Sequence, residues 1–164
     1  RVHSNTPDEN DRIAILENLN EEENPKLPHS ELWVRFGEGL GLSRKNMNAE
    51  MLPETEKMLS EMQKLSSAGF LEGCAALLAY ESQISEIAQL KMDGLRKHYG
   101  IKDARSLEFF KVHGKVDLEH KKTWKKIIAK HAKTKEQKSR VRKSLNKSLK
   151  AMWTMLDGVH RQYC

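Results

Sequence analysis

The stretch GFLEGCAALLAY, residues 69–80, is apolar nearly all round. A helix of that composition has no face suited to water, which predicts a central position with other helices packed around it. Reading outward, it continues from about Ala68 to Tyr99 as one long helix that stops at Gly100. On its N-terminal side, Pro53 opens a helix through Met58, Met62 and Leu65 that ends near Ser66-Ser67. Before that, His29 to Leu40 is amphipathic, with Leu32, Trp33 and Phe36 on one face and Gly39 and Gly41 marking its end. The first helix is signalled by Asn5-Thr6-Pro7-Asp8-Glu9, carries Ile13, Ile15, Leu16 and Leu19, and is ended by Asn24-Pro25. On the C-terminal side, Asp103-Ala-Arg-Ser starts a helix to about His131. A last helix covers roughly Lys135 to Val159, with Leu145, Leu149, Met152, Trp153 and Leu156 as its inner face. No β alternation and no internal repeat occurs. The predicted class is all-α, with residues 1–164 forming a single domain stabilised by burial of helix faces.

Composition agrees with this reading and narrows the function. The 164 residues contain 4 Pro, 9 Gly and 38% hydrophobic residues, and the apolar ones fall in periodic runs, which excludes a disordered or collagen-like chain. No segment has the length and apolarity of a membrane span, and two cysteines make no disulfide framework, so a reducing cytoplasmic setting is the default expectation. The net charge of +6 is unevenly spread: Lys111 to Lys150 holds 15 basic and 3 acidic side chains. Such a block suits either a polyanion or a solvated helix face. No aromatic residue interleaves with the lysines except Trp124, and no zinc-finger or RNA-recognition spacing is present. The solvated face is favoured, and no specific nucleic acid is expected.

Three groups of residues carry chemistry. In His113-Gly-Lys-Val-Asp117-Leu-Glu-His120, positions i, i+4 and i+7 of a helix fall within an arc of about 60°. Two imidazoles and a carboxylate then share one face, a donor set that divalent transition metals favour, although His and Asp are also common on polar helix faces. Phe109, Phe110, Val116 and Trp124 on or beside that face argue that it points inward. Glu81 sits in the most apolar helix, where a carboxylate must be paired, protonated or metal-bound. A salt bridge to a lysine or arginine accounts for it equally well. Lys91 lies about 80° round the same helix, either reaching the same cavity or snorkelling to the surface. Glu21-Glu22-Glu23, followed by His29, places acids where the helix dipole opposes them, as a solvated end or beside a cation. Together Glu22, His29, Glu81, His113, Asp117 and His120 number six, enough for a dinuclear site in a helical bundle.

At these residues the chain resembles the heme-oxygenase-like dimetal oxidase family. The likeness is carried by LENLNEEENPKLPHSELWVRFGEGLGL (residues 16–42), AYESQISEIAQLKMDGLRKHYG (79–100) and FFKVHGKVDLEH (109–120). That family's ligand pattern is a Glu-x6-His, a Glu within YES and a His-x3-Asp-x2-His. By resemblance it falls on Glu22 and His29, on Glu81, and on His113, Asp117 and His120. TenA-type thiaminases and pyrroloquinoline-quinone synthase share the helical fold without this metal set.

The resemblance implies two iron ions or an iron–manganese pair, with O2 as co-substrate. It further implies a role in p-aminobenzoate, hence folate, synthesis, in which a tyrosine of the enzyme itself supplies the ring. Lys91 keeps the family's ten-residue step from the YES glutamate and is implied as a catalytic amino donor. Members of the family are often dimers, so a homodimer is expected. The family also carries two further helices before the point where this sequence starts, and its sacrificial tyrosine lies there. Tyr80, Tyr99 and Tyr163 do not match it. The sequence is thus expected to be the later two-thirds or so of an N-terminally truncated bundle. Three other readings stand beside this one. The same metal centre could act on a fatty-acid or amino-acid-derived substrate, the basic stretch could make the chain a protein-binding module, and Cys74 could serve as a thiaminase-like nucleophile.

Overall fold

Asp8, Asp103 and Thr134 each turn a side-chain oxygen onto the backbone N–H three residues ahead, and a helix begins at the next residue in every case. At Thr134 the arrangement is reciprocal, because Gln137 reaches back to the cap. Pro53 opens a fourth such element at its first turn, where a missing N–H costs nothing. A computed structural model describes residues 1–164. In chain order it contains α1 (Val2–Asn5), α2 (Glu9–Glu22), α3 (His29–Gly39), a 3-10 turn (Arg44–Met47), α4 (Pro53–Ala68), α5 (Phe70–Glu81), α6 (Ile84–His98), α7 (Ala104–His131) and α8 (Lys135–Tyr163). The fold is an all-α bundle without strands, and no helix is long and apolar enough to cross a membrane.

The apolar segment is central. α5 packs against α4, α7 and α8, and Cys74, Ala75 and Ala76 are fully buried. α7 is the second axis of the bundle, with α3 and α6 laid along its N-terminal half and α5 along its C-terminal half. Val2, Ile15, Cys74, Leu78, Trp124 and Ile127 form one core, and Ala88, Met92, Ile101, Leu107 and Phe110 a second. The first joins α1, α2, α5 and α7, and the second joins α6 to α7. The metal-type residues of α7 lie along the helix between Phe110 and Trp124.

Several expectations are corrected. The long helix expected from Ala68 to Tyr99 is two helices. Gly69 is extended between α4 and α5, and the chain breaks again at Ser82-Gln83. The Ser82 hydroxyl bonds back to the Leu78 carbonyl, and Lys121 of α7 donates to the Ser82 carbonyl at 2.8 Å. The Lys121 amine satisfies a carbonyl that a continuing helix would have used, whereas the Leu78 carbonyl keeps its helical partner, the Ser82 N–H. In α2 the capping residue is Asp8, with Pro7 outside the helix, and of the expected apolar face only Ile15 is buried; Ile13, Leu16 and Leu19 are exposed. In α8 the buried positions are Val141, Ser144, Ser148 and Gly158, whereas Trp153 and Leu156 are exposed. Small residues let α8 approach α4 and α5 closely, and a Cβ at Gly158 would sit 2.8 Å from that of Glu54. The basic stretch is partly tied down as well, by Arg140 to Glu72, Lys130 to Asp8 and Lys121 to Ser82.

Candidate metal centre

Four helix segments converge on one point. Glu22 is the last residue of α2, His29 the first of α3, and Glu81 the last of α5. His113, Asp117 and His120 stand on successive turns of α7, and all three are buried. The break after Glu81 fixes where that carboxylate sits. It ends α5 where the Glu81 carboxylate meets α7, and Lys121 holds that end in place.

The ligand-type atoms fall into two groups. Those of Glu22, His29 and His113 lie within 4.8 Å of one another, and so do those of Glu22, Asp117 and His120. Glu22 belongs to both. His29 Nδ1 is 2.7 Å from Glu22 Oε2, and the His29 and His113 rings meet edge-on with centroids 4.6 Å apart. His120 Nδ1 lies 3.5 Å from Asp117 Oδ1 and 3.8 Å from Glu81 Oε2. All six predicted ligand-type residues are thus neighbours, although Glu81 makes its contact through His120 and stands outside both groups.

Two partners escaped the sequence reading as contacts. Trp124 donates its indole N–H to Glu81 Oε2 at 2.6 Å, and Glu21 Oε2 accepts from His120 Nε2 at 2.7 Å. Trp124 extends the α7 register by four residues beyond His120, so helical spacing held the signal. Glu21 left none, since it neighbours Glu22 in a run of three acids.

Burial and charge oppose each other here. Burial pushes Glu81 up to about 7, against the Trp124 N–H and the His120 imidazole, which favour its anion. For His120, burial disfavours the cation, but the Asp117 and Glu21 carboxylates outweigh it and hold the ring up at about 9. Three buried side-chain atoms lack any hydrogen-bond partner: the Asn18 amide nitrogen on the cavity wall and, within the ligand-type cluster, Asp117 Oδ2 and His120 Nδ1, the last two on residues only 1% and 4% exposed. Orphaned buried polar atoms are costly, and a cation between the last two would satisfy both. Nitrogen and carboxylate donors at these positions suit iron or manganese.

The contrast with a second acidic cluster is instructive. Asp8, Asp11 and His131 also gather, but Lys130 Nζ already sits 2.7 Å from Asp8 and 3.1 Å from Asp11. That cluster carries its own cation and fastens α2 to α7.

Glu22, His29, Glu81, His113 and Asp117 face a cavity of about 1230 Å³ whose walls are mostly apolar. Lys91 lines it too, with Nζ 5.9 Å from the centroid of the Phe110 ring. Cys74 does not line it; burial pushes this thiol up to about 12, which removes it as a nucleophile.

The family model of iron-containing redox enzymes matches residues 1–153. Among curated proteins, the chain is 38% identical to a 4-aminobenzoate synthase of Nitrosomonas europaea, over 99% of this chain and 71% of the relative. It is 32% identical to a 4-aminobenzoate synthase of Chlamydia trachomatis, over 77% of this chain and 56% of the relative. A pyrroloquinoline-quinone synthase of Cronobacter sakazakii is 25% identical, over 81% of this chain and 54% of the relative.

Proposed function

This chain belongs to the family of iron-containing redox enzymes, and from that premise we propose that it is a dinuclear-metal, O2-dependent oxidase of 4-aminobenzoate synthesis. The observation that carries the proposal is the pair of ligand groups that share Glu22. Glu22, His29 and His113 would hold one ion, and Glu22, Asp117 and His120 the other, with Glu81 beside His120 completing the set. Two irons, or iron with manganese, fit this mixture of imidazole and carboxylate. When bound, the metal pair supplies the redox equivalents for activating O2.

The remaining work belongs to the protein. Trp124 fixes the Glu81 carboxylate through its N–H, and a fixed outer partner of this kind orients a ligand. Trp33, Phe109 and Phe110 wall the cavity with aromatic surface beside the reacting groups. Lys91 brings an amine to the same cavity and is assigned as the amino donor. The 4-aminobenzoate synthases among the relatives support this product, and the substrate is taken to be a ring derived from tyrosine.

Iron loading followed by metal analysis tests the centre, with two ions per chain expected. Growth of a 4-aminobenzoate auxotroph expressing a full-length protein that contains this chain tests the product. A protein that binds two ions but fails to support growth would assign the same centre to another substrate. A protein that binds none would overturn the proposal.

A further inference from the structure

The two ligand-type histidines of α7, His113 and His120, are held by different ring nitrogens. His113 Nδ1 is engaged by the Phe109 carbonyl at 2.8 Å, one turn back, which leaves Nε2 free. At His120 the arrangement is reversed: Nε2 is engaged by Glu21 at 2.7 Å, and Nδ1 is the buried nitrogen without a hydrogen-bond partner. That nitrogen faces Asp117 Oδ1 at 3.5 Å and Glu81 Oε2 at 3.8 Å. An imidazole ligates through the nitrogen that carries no proton, and the hydrogen bond at the other nitrogen decides which one that is.

We propose that Glu21 is a positioning residue of the metal centre, accepting the Nε2 hydrogen of His120 so that Nδ1 is presented as the ligand between Asp117 and Glu81. This rests on the reading of Glu22, His29, Glu81, His113, Asp117 and His120 as metal ligands, and goes beyond it by naming a seventh residue and the ligating atom. Glu21 is not held there by packing: its side chain is 56% exposed, and its hydrogen bond is to His120. Its value lies in orientation, because His120 is the ligand-type residue that faces both Asp117 and Glu81. The last turn of α2 would then serve the centre twice, with Glu22 directly and with Glu21 from outside.

The test uses the full chain and zinc, a diamagnetic ion that such donors also accept. Zinc affinity of the wild type, E21A and E21Q is measured by competition with a chelator. Long-range proton–nitrogen NMR of the loaded wild type reports which nitrogen of His120 carries hydrogen. The expected result is a proton on Nε2, with E21A binding one of its ions about 10–100-fold more weakly. Its far-UV circular dichroism should be unchanged, and E21Q, whose amide oxygen still accepts, should recover most of the lost affinity. E21A binding as tightly as wild type, E21Q binding as weakly as E21A, or a proton on Nδ1 would each overturn the assignment of Glu21 while leaving the metal site standing. A wild type that takes no zinc and no iron would overturn the metal reading itself.

Discussion

On the proposed reading, Glu22 and His113 differ in how many ions would depend on them. Glu22 belongs to both ligand groups and His113 to one. E22A should therefore lose both ions and H113A a single one, each by more than the about 10–100-fold typical of an outer partner; metal analysis after gel filtration reads the difference. Trp124 offers a second test at this scale. W124F removes the N–H that favours the Glu81 anion, so Glu81 should titrate higher. The pH at half-maximal metal binding should move up by about one unit, the equivalent of one hydrogen bond to a charged group. Some stability is lost in that variant too, because Trp124 is only 1% exposed. The midpoint of the pH curve, rather than its amplitude, is accordingly the informative quantity. Cys74 needs no ligand to explain it. Buried and pushed up to about 12, it should resist a thiol reagent in the native protein, while the exposed Cys164 reacts.

At the scale of elements, the end of α5 sets where the Glu81 carboxylate meets His120. Lys121 anchors that end through the Ser82 carbonyl, and a methionine there would keep the aliphatic stem while removing the donor. K121M should cost about 1 kcal/mol of stability and weaken metal binding as well, since Glu81 rides on the same turn. T134A provides the contrast. It breaks the capping box of α8 and should cost about 1 kcal/mol with no change in metal affinity, because no ligand-type residue lies on that turn. Thermal midpoints and chelator competition on the two variants separate the position of an element from its mere stability. A T134A protein with impaired metal binding, or a K121M protein with normal binding, would place the control of Glu81 elsewhere.

For the whole molecule, the site makes stability and pH interdependent. Glu81 is raised from 4.5 to about 7, so folding favours its neutral form, and stability falls as pH climbs from 4.5 through 7. His120 is raised from 6.5 to about 9, so its contribution is complete below 6.5 and is lost as pH rises through 9. Both act in one direction: the metal-free protein should become less stable between about pH 5 and 9. The lowered carboxyls of Asp8, Glu31 and Glu72 add their stability above the ordinary carboxylate range and lose it in acid, giving an optimum near the lower end of that interval. Metal binds the deprotonated ligands, so affinity and metal-induced stabilisation should rise over the same interval, with release of protons. Urea unfolding at pH 5, 7 and 9 with and without metal checks this, and a metal-free protein that gained stability toward pH 9 would contradict it.

Much of the fold was legible from local chemistry. The start at Asp103, the proline at 53 and the apolar stretch 69–80 act over a few residues, and the structure has a helix at each, although the one through 69–80 ends at Glu81. The register His113, Asp117, His120 is fixed by helix geometry, so its common face follows from sequence alone. What sequence could not decide depends on contacts between distant segments. The break at Ser82 leaves a carbonyl that is satisfied by Lys121, 39 residues away, and the shared position of Glu22 arises where the end of α2 and the start of α3 meet α7. Glu21 reaches His120 across 99 residues, a contact without local periodicity to announce it. Hydrogen bonding within a helix writes itself into the sequence at intervals of three and four. The distances between carboxylates on different helices are written only by how those helices pack.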